Sequence, residues 1–384
     1  MALVLVTALF AALPAHAQQP GSDPWWLTLE QGKRFFRNGE YGEALRSFES
    51  ARENRRQRYA KMERDFITVL SIHEVRLLGD NLDLVETYIE REYRTDAAEA
   101  LKQLYYRVPK NKLGNSAKKA LTELGRLKSY PEAEYWIGEI YRAEGELSIA
   151  LKQYQKAYED REKLETPGFE TEILYRMADA RRLSQEYPEM EELLTEILKQ
   201  DSLWGGESFN RGAMMRSLEN NGLNRFLVLY RHNNPAAERA HRLLGMYYYA
   251  SGRHNRAAEH LLFAFVIQST LMIDSLIKEQ YNYSFSALSA LVRDASSDPE
   301  LRRFMIETEY FKTLYYLANS LYGSGKNAPA REIWVFLRDN TGISGAAGAA
   351  RAAGEWRTRS LNQLSRPVLD RVPESQGRPG TPVP

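Results

Sequence analysis

Residues 135–158 read YWIGEIYRAEGELSIALKQYQKAY, a helical pattern with one glycine, Gly138, inside its first half and a second, Gly145, seven residues on. A glycine in a helix interior costs about 1 kcal/mol against alanine, so the fold must need it there. Close approach of a neighbouring helix is such a need. At about 100° per residue Ile137, Gly138 and Tyr141 share one face of a first helix, and beyond the Gly145 turn Ala150, Tyr154 and Ala157 stripe a second. Large residues set against small ones on both stripes predict one antiparallel helical hairpin.

One hairpin cannot bury its own apolar face, so further copies are expected along the chain. GKRFFRNGEYGEALRSFESA supplies Gly32 and Phe35, the turn glycine Gly39, then Ala44, Phe48 and Ala51. LGMYYYASGRHNRAAEHLLFA supplies Leu244, Gly245, Tyr248, Gly252, Ala257, Leu261 and Ala264, and LANSLYGSGKNAPAREIWVFL supplies Leu317, Ala318, Leu321, Gly325, Ala330, Trp334 and Leu337. A fifth, degenerate copy has Ala178 in the small slot with Met190, Leu194 and Ile197 after it. The spacing resembles the tetratricopeptide repeat (TPR), a 34-residue helix-turn-helix with W-x2-L-G-x2-Y in its first helix and A-x3-F in its second. Here Ile137-Gly138-x2-Tyr141 and Ala150-x3-Tyr154-x2-Ala157 match it.

The small slots at 32, 138, 178, 245 and 318 leave gaps near multiples of that period, so further copies should fill them. Candidate helices stand around 59–78, 81–94, 96–107 and 115–128, a shortened pair at 208–232, and unusually long helices across 257–295. The resemblance therefore implies an all-α, right-handed TPR-like solenoid of about eight to nine helix pairs. We expect one continuous array over residues 18–343, closed by a small-residue capping helix at 344–365, because repeats stack without a domain boundary. A hydrophobic content of 43% and 27% charged residues suit a solvated helical array.

At the N-terminus, MALVLVTALFAALPAHAQQP has an apolar run followed by Ala15-His16-Ala17, which matches a signal peptide cleaved after Ala17, although no Lys or Arg precedes the run. That run is too short to span a bilayer, so no stable transmembrane anchor is expected. Export would place the protein in the periplasm of a two-membrane cell and outside a one-membrane cell. Residues 366–384, rich in proline and polar side chains, should form an extended, disordered tail. With no cysteine the chain can hold no disulfide and no thiolate zinc site. A net charge of +1 argues against nucleic acid, which needs a clustered basic surface.

Few residues carry chemistry. YGSGK ends like a phosphate-binding loop, but Ser320 stands where that motif needs its first glycine and Asn327 replaces the Ser or Thr after Lys326. His73, His232, His241, His254 and His260 show no metal-ligand spacing, and no G-x-S-x-G is present. The reading is therefore of a non-enzyme without cofactor or metal; an enzyme site within the long helices at 257–295 is a weaker option. RENRRQRYAKMER, residues 52–64, is basic enough to attract an acidic protein or an anionic lipid surface, and EYPEMEELLTE is its acidic counterpart; both read as solvated helix surface.

Function then falls to a face of the array. Three before, one after and four after each small slot, first-helix residues point away from the packing stripe. In TPR proteins such residues line a concave groove. Here they include Phe36, Tyr135, Tyr175, Tyr249, Tyr315 and Tyr322, interleaved with Lys33, Glu139, Arg142, Asp179, Arg182 and Arg242. Tyr and Arg dominate interface energetics, so the expectation is a scaffold that binds one or more envelope proteins there. The carboxylate-binding TPR subclass carries Lys and Asn where this chain has Leu29 and Lys33, which argues against capture of a free C-terminus. The alternative is a solute-binding accessory protein of an envelope transporter. Gly32, Ala44, Gly138, Ala150, Gly245, Ala257, Ala318 and Ala330 are assigned to packing between helices.

Overall fold

A computed structural model describes residues 24–72, 125, 128–204, 210–341 and 347–371, and the described residues form helices joined by turns, with no strand among them. The chain is all-α. Its contacts divide it into two compact units, with the division between Glu170 and Thr171, where the sequence predicts one uninterrupted array. The signal-like residues 1–17, His73, the candidate helices at 81–94 and 96–107, and tail residues 372–384 lie outside the described residues.

The first unit holds α1 (Trp25–Arg37), α2 (Tyr41–Ile72), α3 (Pro131–Ala143) and α4 (Leu147–Glu159). α1 pairs with α2, α3 with α4, and α3 also packs on α2. Leu29, Phe36, Phe48, Ile137 and Ile140 make its core, each worth roughly 1.5–3 kcal/mol on burial. Sequence periodicity suggests a new helix near residue 59, but α2 runs on for 32 residues. From Glu43 to Ile72 the chain has neither glycine nor proline to stop it.

The second unit holds the rest of α5 (Phe169–Leu183), then α6 (Tyr187–Lys199), α7 (Arg211–Leu229), α8 (Pro235–Ala250), α9 (His254–Glu279), α10 (Leu288–Ser297), α11 (Pro299–Glu307), α12 (Tyr310–Gly323), α13 (Asn327–Asn340) and α14 (Ala347–Ser365). Where the sequence suggests a shortened pair, α7 is broken at Gly222, whose φ of 68° is non-helical. Asn210, Asn234 and Asp298 each accept a hydrogen bond from the third amide of the helix they precede, which starts α7, α8 and α11. Helix α9 is long and apolar enough to cross a membrane, yet most of that stretch is buried inside the protein among α7, α8 and α12. It is the core helix of this unit.

One turn recurs five times among the described residues. Seven residues beyond each small slot the backbone is left-handed: Gly39 (φ 80°), Gly145 (φ 87°), Gln185 (φ 60°), Gly252 (φ 73°) and Gly325 (φ 79°). At each, that residue's amide donates to the carbonyl three back, and the next amide donates to the carbonyl five back: Glu40 to Phe35, Glu146 to Tyr141, Glu186 to Arg181, Arg253 to Tyr248 and Lys326 to Leu321. This is the Schellman termination, in one register. The degenerate copy keeps it without a glycine.

Candidate functional site

The small slots are where paired helices touch. A Cβ on Gly32 would stand 2.5 Å from the Phe48 ring, on Gly138 2.6 Å from the Tyr154 ring, and on Gly245 2.5 Å from Leu261 Cγ. In the last hairpin Ala318 takes the slot, and Ala44, Ala150, Ala257, Ala318 and Ala330 have no exposed surface. With that stripe packed inward, the other face of each first helix carries the expected binding residues.

In the first unit that face is largely committed to internal contacts. Tyr135 is buried, its ring 4.7 Å from Phe169 and 5.8 Å from Tyr154. Phe36 is buried against Tyr41 and Trp136. Arg142 pairs with Glu139 at 3.1 Å, and Glu139 also accepts from the Tyr154 hydroxyl at 2.5 Å. Lys33 pairs with Glu30 and lies 5.7 Å from the Trp136 ring centroid. The sequence places these side chains toward a partner; the structure gives most of their area to neighbouring rings, because a tyrosine covers more surface than one hairpin can leave open.

In the second unit Tyr175 is likewise buried, its hydroxyl donating to Ala236 O and accepting from Ala240 N at 2.9 Å, against the first two turns of α8. Asp179 pairs with Arg182 at 2.7 Å. Arg242 is held between Glu238 at 3.0 Å and Glu309 at 2.8 Å. Tyr322 is partly exposed and packs on Trp334.

Tyr249 and Tyr315 meet something else. Past α14 the chain runs without regular secondary structure from Pro367 to Arg371 and lies on α8 and α12. The Tyr249 hydroxyl donates to the Asp370 carbonyl at 2.7 Å, the Tyr315 hydroxyl to the Asp370 carboxylate, and the Tyr316 hydroxyl to the Arg371 carbonyl at 3.3 Å. Asn319 Nδ2 donates to the Tyr249 hydroxyl at 3.4 Å, while its Oδ1 accepts from Trp334 Nε1 at 3.1 Å. Gln363 clasps the segment, donating to Val368 O at 2.7 Å and to the Tyr315 hydroxyl at 3.0 Å, and accepting from Val368 N at 2.8 Å. Arg359 stands 3.7 Å from the same carboxylate. Burial pushes the Tyr249 and Tyr315 hydroxyls up to about 12, with Asp370 adding to the effect, so both stay protonated donors at neutral pH. The sequence reads residues 366–384 as an extended, disordered tail; residues 367–371 have no regular secondary structure but are held, because this face supplies donors for the Val368, Asp370 and Arg371 carbonyls.

Tyr316, Asn319 and Gln363 are absent from the residues that the sequence assigns to binding. Asn319 stands one after the slot of the last copy but is neither aromatic nor charged; Tyr316 stands two before the slot, and Gln363 belongs to a helix outside the repeat pattern.

Two further clusters escape the sequence. Arg55, within the basic run, is buried, paired with Glu165 at 2.6 Å, with the Tyr130 ring 4.5 Å and the Tyr59 ring 5.6 Å away. Arg52 pairs with Glu134 at 3.1 Å, so part of the run is internal structure and not solvated surface. In the second unit, His241 Nδ1 and His260 Nδ1 are 3.1 Å apart and buried, under the Trp204 ring. Nearby Asp201 accepts from His232 Nε2, Asn234 Nδ2 and Trp204 N, each at 2.7 Å. Burial alone would raise its pKa, but those bonds hold it well below the usual carboxylate range. Among the described residues no three His, Asp or Glu side chains are placed to hold a metal ion.

No protein-family model matches the chain, and no solved structure matches it. It is 28% identical over 323 residues to an uncharacterized protein of Treponema pallidum, spanning 83% of this chain and 86% of that one. An uncharacterized protein of Borreliella burgdorferi is 25% identical over 236 residues, 55% of this chain and 72% of the relative.

Proposed function

We propose that the chain is a TPR-like α-solenoid that serves as an exported scaffold, binding a partner polypeptide on its first-helix face. The repeated Schellman turns and glycine contacts support the repeat assignment, and the N-terminal residues 1–17 support export. The observation that carries the binding role is the seating of Pro367–Arg371 on α8 and α12, where tyrosine hydroxyls take main-chain carbonyls. A surface that reads main chain accepts an extended polypeptide with little demand on its sequence, as peptide-binding scaffolds require. The test is a photo-crosslinker at Tyr322, the partly exposed member of the face, in the native cell, followed by purification and identification of what is captured. A discrete polypeptide is the expected product. Crosslinks to small molecules alone would favour a solute receptor, and their absence with all partners would remove the scaffold reading.

A further inference from the structure

Residues 367–371 hold their place through polar bonds, while Val368 and Leu369 keep 53% and 41% of their surface exposed. An occupant chosen for tight, permanent packing would bury those two side chains. What the face demands instead is main chain free of helical bonding with a carboxylate beside it: two carbonyl positions met by Tyr249 and Tyr316, and one carboxylate met by Tyr315 with Arg359 nearby. The acceptor side is complete too. Each of the Tyr249 and Tyr315 hydroxyls donates once to the segment and accepts once, from Asn319 and Gln363 respectively, so each hydroxyl proton is directed at the segment.

We propose that α8, α12 and α14 form a binding site for an extended segment of another protein carrying an Asp or Glu side chain, and that this chain's own Asp370 segment occupies the site until such a segment displaces it. The inference rests on the scaffold reading and adds the chemistry of the ligand and its control. The tail is tethered within a few residues of the end of α14, which sets its effective concentration on the order of millimolar. A partner must therefore either exceed that concentration locally or add contacts that the tail lacks. The exposed Val368 and Leu369 positions mark where a partner's side chains could gain them.

The experiment uses the full chain and a labelled peptide of residues 364–376, LSRPVLDRVPESQ, followed by fluorescence anisotropy. Asp370→Lys places a cation before Arg359 and should free the site. The variant should bind the peptide at least tenfold more tightly than the unmodified chain does, and an Asp370→Ala peptide should lose at least tenfold on the variant. Adding Tyr249→Phe and Tyr315→Phe to the variant should abolish the gain. Should Asp370→Lys fail to fold, judged by helix content, Asp370→Asn removes the charge with little change of shape and should give the same ordering. Equal peptide affinity in the folded variant and the unmodified chain would overturn the proposal. So would tail exchange between two copies, seen as a dimer of the variant by sedimentation. A partner still captured in cells at the same level by Tyr249→Phe/Tyr315→Phe would sink this site while leaving the scaffold reading standing.

Discussion

His241 and His260 share one hydrogen bond, Nδ1 to Nδ1 at 3.1 Å, inside the α8–α9 hairpin, so one imidazole donates and the other accepts. Neither can take a second proton cheaply. Burial pushes His260 down to about 3, aided by the Arg211 and Arg256 charges, and pushes His241 well below its ordinary value, aided by His260. Because the unfolded chain titrates near 6.5, it takes up protons first, and stability present above that pH is lost as pH falls from about 6.5 toward 3. At pH 5 one such histidine costs about 2 kcal/mol. Urea unfolding of His260→Phe at pH 7 and pH 5 isolates the effect, since every carboxylate contributes equally to both chains. The variant should lose about 2 kcal/mol less between the two pH values; an unchanged difference would show that the pair takes no part.

Gly138→Ala should destabilise although alanine is the better helix former. Its Cβ would stand 2.6 Å from Tyr154 Cε1, and that ring is buried and anchored through its hydroxyl to Glu139. Overpacking of this kind costs about 1–3 kcal/mol, against roughly 1 kcal/mol gained from propensity. Gly354, inside α14, would meet nothing within 4 Å, so Gly354→Ala should move the other way by up to about 1 kcal/mol. Opposite shifts in denaturation midpoint are the expected pair.

Gln185 occupies the left-handed position that glycine fills in the four clean copies. A side chain there costs about 1–2 kcal/mol, and glycine gives back part of that in unfolded-state entropy. Gln185→Gly should therefore raise stability by about 0.5–1 kcal/mol, and Gly145→Gln should lower it by a similar amount. A destabilised Gln185→Gly would mean that the fifth turn is not equivalent to the others.

How much of this was legible in the sequence follows from which forces are local. A Schellman turn is made by a handful of consecutive residues, so Gly39, Gly145, Gly252 and Gly325 declare it in the text, and the glycine slots announce their large partners sixteen residues on. Even Gln185, which hides the signal, could be placed by counting from Ala178. The all-α class and the hairpins at α1, α3, α8 and α12 were readable for that reason. Long-range pairing was not. Arg55 sits in a run whose sequence says solvated, and only the arrival of Tyr130 and Glu165 from far along the chain makes it buried. The seating of Asp370 on Tyr249 is the same kind of event, 121 residues apart. Periodicity names the face of a helix; it does not name what comes to cover it.

Arg242 shows the consequence most sharply, since helical register assigns it to partner binding whereas its guanidinium is held by Glu238 and Glu309. Glu238 is buried and shares the same Oε1 with Gln268 Nε2 at 2.7 Å; Glu309 keeps Lys312 at 2.8 Å if Arg242 is removed. Arg242→Met would thus leave Glu238 as a buried carboxylate with an amide for company and no counter-ion. Breaking one side of a buried pair costs about 3–5 kcal/mol, most of it the stranded charge. Neutralising that charge should recover much of the loss, so Glu238→Gln/Arg242→Met should be more stable than Arg242→Met alone, with a coupling of at least about 1 kcal/mol in the double-mutant cycle. Were Arg242 a surface anchor awaiting a partner, Arg242→Met would unfold at the midpoint of the unmodified chain and the cycle would close on zero.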